Sequence, residues 1–136
     1  MNDAQSKHAA NHIPLVYLVD DEPLLLDLAE ATLASPAYKL KKFLDPERAL
    51  ADFMQARTKP ALLITDYSMC KMNGLELVER CRALKPDLKS IMVSGSAGAE
   101  ILMGSDVKVD QFVGKPYHPA DLAGLVRRVL GLENAA

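Results

Sequence analysis

Short apolar runs alternate with amphipathic stretches along most of this chain, and the runs end on polar residues. Leu15-Val16-Tyr17-Leu18-Val19 stops at Asp20-Asp21, and Ala61-Leu62-Leu63-Ile64 stops, one threonine later, at Asp66. Ile91-Met92-Val93 stops at Ser94, and Phe112-Val113-Gly114 stops at Lys115-Pro116. Short continuous apolar runs fit strands buried on both faces. With a weaker alternation from Tyr38 to Phe43, they predict strands over about 14–19, 38–43, 61–65, 89–93 and 109–113.

Helical periodicity fills the intervals. A first helix over about 23–34 has Asp21 or Glu22 near its cap, Pro23 at an early position, and Leu24, Leu25, Leu28 and Thr32 on one stripe. Asp45-Pro46 opens a second, in which Ala49, Leu50, Phe53 and Met54 recur at helical spacing. Asn73 reads as the N-cap of a third, with Glu76 as capping-box partner and Met72 and Leu77 as the hydrophobic staple; it ends near Leu84, ahead of Pro86. Residues 97–104, bracketed by Gly98 and Gly104, make at best a short helix. Pro119 opens the last helix, whose stripe of Leu122, Leu125, Val126, Val129 and Leu130 ends at Gly131. Strands alternating with helices argue for an α/β fold, a parallel sheet covered on both faces and joined by right-handed crossovers.

A chain of 136 residues fits one domain with a real core. Residues 1–12 are polar and aperiodic and read as a flexible tail; the domain spans 13–132, and 133–136 form a C-terminal tail. A net charge of −2 provides no general attraction to nucleic acid or anionic lipid. Cys70 and Cys81 are too few for a disulfide framework and form no CxxC pair, which fits a reducing, cytoplasmic setting. The N-terminus has no apolar signal-peptide core, and no run reaches membrane-spanning length.

If the runs are parallel strands, Asp20, Asp21, Asp66, Ser94 and Lys115 converge on one edge, where open α/β sheets bind ligands. Two bare carboxylates ~4 Å apart repel by about 4 kcal/mol at an effective dielectric near 20, so the acids need a cation or raised pKa values. All-oxygen ligands favour Mg²⁺. Lys115 supplies a compact positive charge and Ser94 a hydroxyl donor. Aspartate can carry a covalent phosphoryl group, and Asp66, on the central apolar strand, is the nucleophile in this reading.

Taken singly, each residue has a plainer reading. Asp20-Asp21 could cap a helix, Asp66 form a turn, Ser94 bond to backbone, and Lys115 lie on the surface before a turn proline. Phe112 could be an ordinary core or edge aromatic. Cys70 reads as an inert loop thiol and Cys81 as core, on a stripe with Leu77, Val78 and Leu84. His8, His12 and His118 lack metal-ligand spacing, and His118 flanks the last helix. Arg127-Arg128 is a solvated face or a partner contact.

As a set, Leu18-Val19-Asp20-Asp21-Glu22, Asp66-Tyr67-Ser68-Met69 with Asn73-Gly74, Ser94-Gly95 and Phe112-Val113-Gly114-Lys115-Pro116 resemble the response-regulator receiver domain of two-component signalling. The resemblance covers about residues 13–132 and implies a flavodoxin-like, doubly wound five-stranded parallel sheet of order 2-1-3-4-5 with five helices. It implies that Asp66 accepts a phosphoryl group from a sensor histidine kinase or a phosphotransfer protein. Asp21, Asp66 and the backbone carbonyl of Ser68 would bind Mg²⁺, with Asp20 acting mostly through a coordinated water. Lys115 would pair with phosphoryl oxygens, across a cis Lys115-Pro116 bond. Ser94 and Phe112 would switch position, remodelling the face made by the 97–104 helix, the fifth strand and the last helix for a downstream protein target.

The expected protein is a stand-alone, chemotaxis-regulator-like module, a monomer or weak dimer that contacts neither nucleic acid directly nor membrane. It would catalyse only its own phosphorylation and dephosphorylation. The first helix and the loop before the last helix would dock the phosphoryl donor. Cys70 stands where the family usually has proline and Asn73 where it usually has aspartate; Phe112 lacks the hydroxyl of the commoner tyrosine. Two competing readings are a haloacid-dehalogenase-like phosphatase, whose Asp-x-Asp motif is missing, and an FMN-binding module, whose hydroxyl-rich phosphate loop is missing.

Overall fold

The computed structural model describes residues 13–95, 104 and 106–132. Both expected tails, and all of the expected 97–104 helix except Gly104, lie outside the described residues. Five strands, β1 (Leu15–Val19), β2 (Lys39–Phe43), β3 (Leu62–Asp66), β4 (Lys89–Ser94) and β5 (Gln111–Gly114), form one sheet of order β2-β1-β3-β4-β5. Every pairing is parallel. Among the described residues there are four helices: α1 (Pro23–Leu33), α2 (Pro46–Gln55), α3 (Gly74–Leu84) and α4 (Pro119–Val129). This is the expected doubly wound architecture.

Strand alternation divides the core into two. Val16, Leu18, Leu62, Ile64, Ile91 and Val93 face α1 and α4, packing with Leu26, Leu33, Leu122 and Val126. Tyr17, Val19, Leu63 and Met92 face α2 and α3, packing with Phe53, Leu77, Val78 and Cys81. β3 is buried at all five positions, as the central strand of a sheet covered on both faces must be. At one edge, β2 carries exposed Lys39, Lys41 and Lys42. Lys41 pairs with Asp52 and Lys42 with Asp27 and Glu30.

The helix starts follow the sequence signals. Asp45 caps α2 by accepting from Glu47 N at 2.9 Å. The Asn73–Glu76 capping box is complete at α3, and both Met72 and Leu77 of the expected staple are buried. His118 caps α4, its Nδ1 accepting from Ala120 N. Glu22 is the N-cap of α1 but makes no side-chain cap bond; Asp20 Oδ1 accepts from its amide instead, at 2.9 Å.

Parts of three helix faces differ from expectation: Met54 of the expected α2 stripe and Leu84 of the expected Cys81 stripe are 60% and 48% exposed. Leu24 and Leu28 of the expected α1 stripe are 81% and 51% exposed. The inward positions are Leu26, Ala29 and Leu33. Three consecutive leucines leave the phase of the apolar stripe undetermined in sequence, and packing of Leu26, Ala29 and Leu33 against the sheet selects it.

Candidate functional site

The site stands at the carboxyl edge of the sheet. Asp20 and Asp21 follow β1 directly, and the Asp20 amide donates to Phe43 O at 3.1 Å, which holds the turn beside β2. Asp66 is the last residue of β3 and is 7% exposed. Carboxylate oxygens of Asp20, Asp21 and Asp66 all lie within 4.8 Å of one another. Opposite them, Lys115 Nζ is 3.1 Å from Asp66 Oδ1. Lys115 is placed by its own backbone: its amide donates to Ser94 O at 2.7 Å. The Lys115-Pro116 bond is cis.

Ser94 ends β4, one residue beyond Val93, which pairs with Asp66 across the sheet. It is 3% exposed, and no side-chain hydrogen bond joins it to the described residues. Phe112 pairs with Met92 and packs, half-buried, against the core on the α2/α3 side. Ser68 is exposed in the loop after β3, and its carbonyl accepts no hydrogen bond from the described residues. The structure therefore brings Asp20, Asp21, Asp66 and Lys115 together, with Ser94 at the adjoining strand end, Ser68 on the loop, and Phe112 two residues before Gly114.

The electrostatics follow from burial. Burial raises the Asp66 carboxyl above its ordinary pKa, and the Lys115 hydrogen bond and charge offset only part of the rise. Burial raises Asp20 too, opposed by the bond from the Glu22 amide and reinforced by Asp66. Burial works against the Lys115 ammonium, but Asp66 and then Asp20 outweigh it, and its pKa rises. Three carboxylates face one ammonium, which leaves the ionised cluster two negative charges in excess. Converging oxygens and that charge fit a small divalent cation. Asp20, Asp21 and Asp66 are suitable oxygen donors, and the remaining positions would be filled by water, as Mg²⁺ prefers.

Contacts invisible in the sequence support these groups. The Cys70 amide donates to Asp21 Oδ2 at 3.3 Å. Lys71, at φ 74°, reaches Asp45 Oδ2 at 3.3 Å and ties the loop to the start of α2. Gly74 packs so tightly that a Cβ there would stand 2.5 Å from Asp66 O and 2.7 Å from Met92 Sδ. The Asn73-Gly74 pair pointed to this loop, but nothing in sequence spacing reveals how near the backbones come. Tyr117, just past Lys115-Pro116, lies near enough to feel the charges of Lys115, Asp20 and Asp66.

Residues 16–127 match the family described as the response regulator receiver domain. The chain belongs to that family. Over 117 residues the receiver is 29% identical to the transcriptional regulatory protein CreB of Escherichia coli, a match covering 85% of this chain and 50% of CreB. Over 83 residues it is 37% identical to a chemotaxis protein CheY homolog of Campylobacter jejuni, covering 59% of this chain and 64% of the homolog. It thus spans about half to two-thirds of these curated relatives. A CheY-like receiver domain protein from Methanospirillum hungatei superposes with a TM-score of 0.76 at 25% identity, covering 91% of this chain and 99% of that one. The chain is a receiver domain of two-component signalling, a class that works as a signalling phosphoacceptor and not as a turnover enzyme. No helix of the described residues is long and apolar enough to cross a membrane.

Proposed function

We propose that this receiver accepts a phosphoryl group on Asp66 from the phosphohistidine of a sensor kinase or a phosphotransfer protein. The observation that carries this is the placement of Asp66, which meets two further carboxylates within 4.8 Å on one side and the Lys115 ammonium at 3.1 Å on the other. A carboxylate oxygen of Asp66 attacks phosphorus, the P–N bond breaks, and its electron pair stays on the departing imidazole nitrogen. Mg²⁺, when bound, neutralises charge on the transferred oxygens. Asp21, Asp66 and the Ser68 carbonyl would hold it, Asp20 would act mostly through a water, and Lys115 would move from Asp66 to a phosphoryl oxygen.

The product carries about −1.5 to −2 charge. In this reading the Ser94 hydroxyl, which has no competing protein bond among the described residues, turns toward it. Phe112 follows, and the face around β5 and α4 changes for a protein target. Such a switch needs about 5.5 kcal/mol of differential stabilisation to move a population from 1:99 to 99:1. The donor docks beside Lys115, where Leu25, Leu28, Pro116, Tyr117 and Pro119 line an apolar groove of about 360 Å³. The exposure of Leu24 and Leu28 on α1 supports that placement. We assign residues 13–132 to the working domain and place it in the cytoplasm.

Intact mass after treatment with a small phosphodonor and Mg²⁺ tests the reading. One added phosphoryl on the parent and none on Asp66→Ala is the expected result. Addition to both proteins, or to neither, overturns it. Turnover of phosphomonoesters would point instead to phosphatase chemistry.

A further inference from the structure

Behind the acid cluster lies a small cavity of about 20 Å³. Leu18, Ile64 and Val93 form its apolar floor, and among the described residues its polar lining is Asp20, Asp66 and Tyr117. A single water needs roughly 10–15 Å³ and two to four polar partners, and apolar cavities without such partners stay dry. This cavity has room for one water, and three polar residues line it.

The donors and acceptors also balance. Tyr117 makes no hydrogen bond to the described residues. Burial raises its pKa, so at neutral pH the phenol keeps its proton and can donate. Asp20 accepts from the Glu22 amide at Oδ1, and Asp66 accepts from Lys115 at Oδ1 and from the Tyr67 amide; each carboxylate still has lone pairs to accept one more bond. A water has two protons to give and lone pairs to receive. One water receiving from Tyr117 and donating to both carboxylates gives the phenol an acceptor and leaves lone pairs of both acids facing the metal side.

We propose that Tyr117 is a positioning residue for the acid cluster, acting through one water molecule held between its hydroxyl and the carboxylates of Asp20 and Asp66. The water fixes the rotation of two carboxylates that otherwise repel, and presents their outer oxygens to the metal side. The loop from β5 to α4 thereby serves the cluster twice, through Lys115 in front and Tyr117 behind. The effect on metal affinity rests on the phosphoacceptor reading; the water site itself does not.

The test compares the full chain with Tyr117→Phe, which keeps the ring and removes only the hydroxyl. A high-resolution crystal structure of the metal-free parent should show one ordered water within hydrogen-bond distance of all three side chains. In the variant that water should be lost or displaced. Calorimetric titration with Mg²⁺ should give about tenfold weaker binding in the variant, the low end for removal of an outer-shell partner. A dry cavity in the parent, a water unmoved in the variant, or equal Mg²⁺ affinity overturns the proposal. A parent that binds no Mg²⁺ counts against the phosphoacceptor reading, while the water and its loss in the variant still decide the site.

Discussion

Gly74 lies directly beneath Asp66: a methyl group on its Cα would stand 2.5 Å from the Asp66 carbonyl oxygen. The neighbour is backbone of the central strand, so it cannot swing aside as a side chain would. The start of α3 is thus pressed against the end of β3, with the Gly74 amide donating to Tyr67 O at 2.9 Å. Gly74→Ala should cost about 2–3 kcal/mol, near the upper end of overpacking penalties. Urea denaturation measures that cost. Phosphoryl uptake should fall alongside, because relief of the clash displaces Asp66.

The acid cluster should make the metal-free protein less stable as pH rises. Asp66 and Asp20 have carboxyl pKa values raised by burial. A raised folded-state pKa means the folded form favours the protonated acid. That contribution is fully present below the unfolded pKa, near 4, and is lost as pH climbs through the higher folded value. Asp66→Asn should therefore raise the apo melting temperature at neutral pH by roughly 2–5 °C. The gain should vanish below about pH 4, where the parent acid is itself neutral. Mg²⁺ should stabilise the parent at neutral pH and leave the variant nearly unchanged; a variant melting below the parent at neutral pH contradicts the argument.

Arg82 closes the far end of the sheet. Its Nε donates to Leu88 O at 3.2 Å, Nη1 to Lys108 O, and Nη2 to Ser90 Oγ at 3.3 Å and Asp110 Oδ2 at 3.0 Å. Asp110 Oδ2 also accepts from the Ser90 amide at 2.7 Å. Lysine cannot reproduce that planar fork. Arg82→Lys should destabilise by about 1–3 kcal/mol in chemical denaturation. Mg²⁺ affinity should not change, because the clamp lies at the opposite end of the strands from Asp66.

The two thiols should react differently. Cys70 is exposed, while Cys81 is 1% exposed and burial pushes its pKa up to about 12. A thiol-specific reagent near pH 8 should modify Cys70 alone in the native protein and both after denaturation. Native modification of Cys81 would show that α3 opens far more readily than its packing implies.

The fold was legible because both strand faces are buried: runs such as Leu62-Leu63-Ile64 admit few other readings. The site was legible because parallel strands send their carboxyl ends to one edge, so Asp20, Asp21, Asp66, Ser94 and Lys115 could be grouped before any coordinates. The phase of α1 was not, since Leu24, Leu25 and Leu26 allow several stripes and only packing chooses among them. Nor could the sequence show the Cys70 amide on Asp21, the press of Gly74 on Asp66, or the place of Tyr117. Those depend on how separate elements meet, and local pattern is silent on that.

The lysines of β2 bear on how copies of the chain meet in solution. Lys39, Lys41 and Lys42 line the outer margin of the sheet, and an unpaired margin is where a stray backbone would add itself and seed a precipitate. A second backbone could add there only by disturbing these lysines and the acids that Lys41 and Lys42 pair with. Among the described residues the opposite margin is the four-residue strand Gln111–Gly114, and a short edge strand is another guard against such pairing. Charge along one margin is thus a guard against edge-to-edge pairing between copies, separate from the acids that form the site.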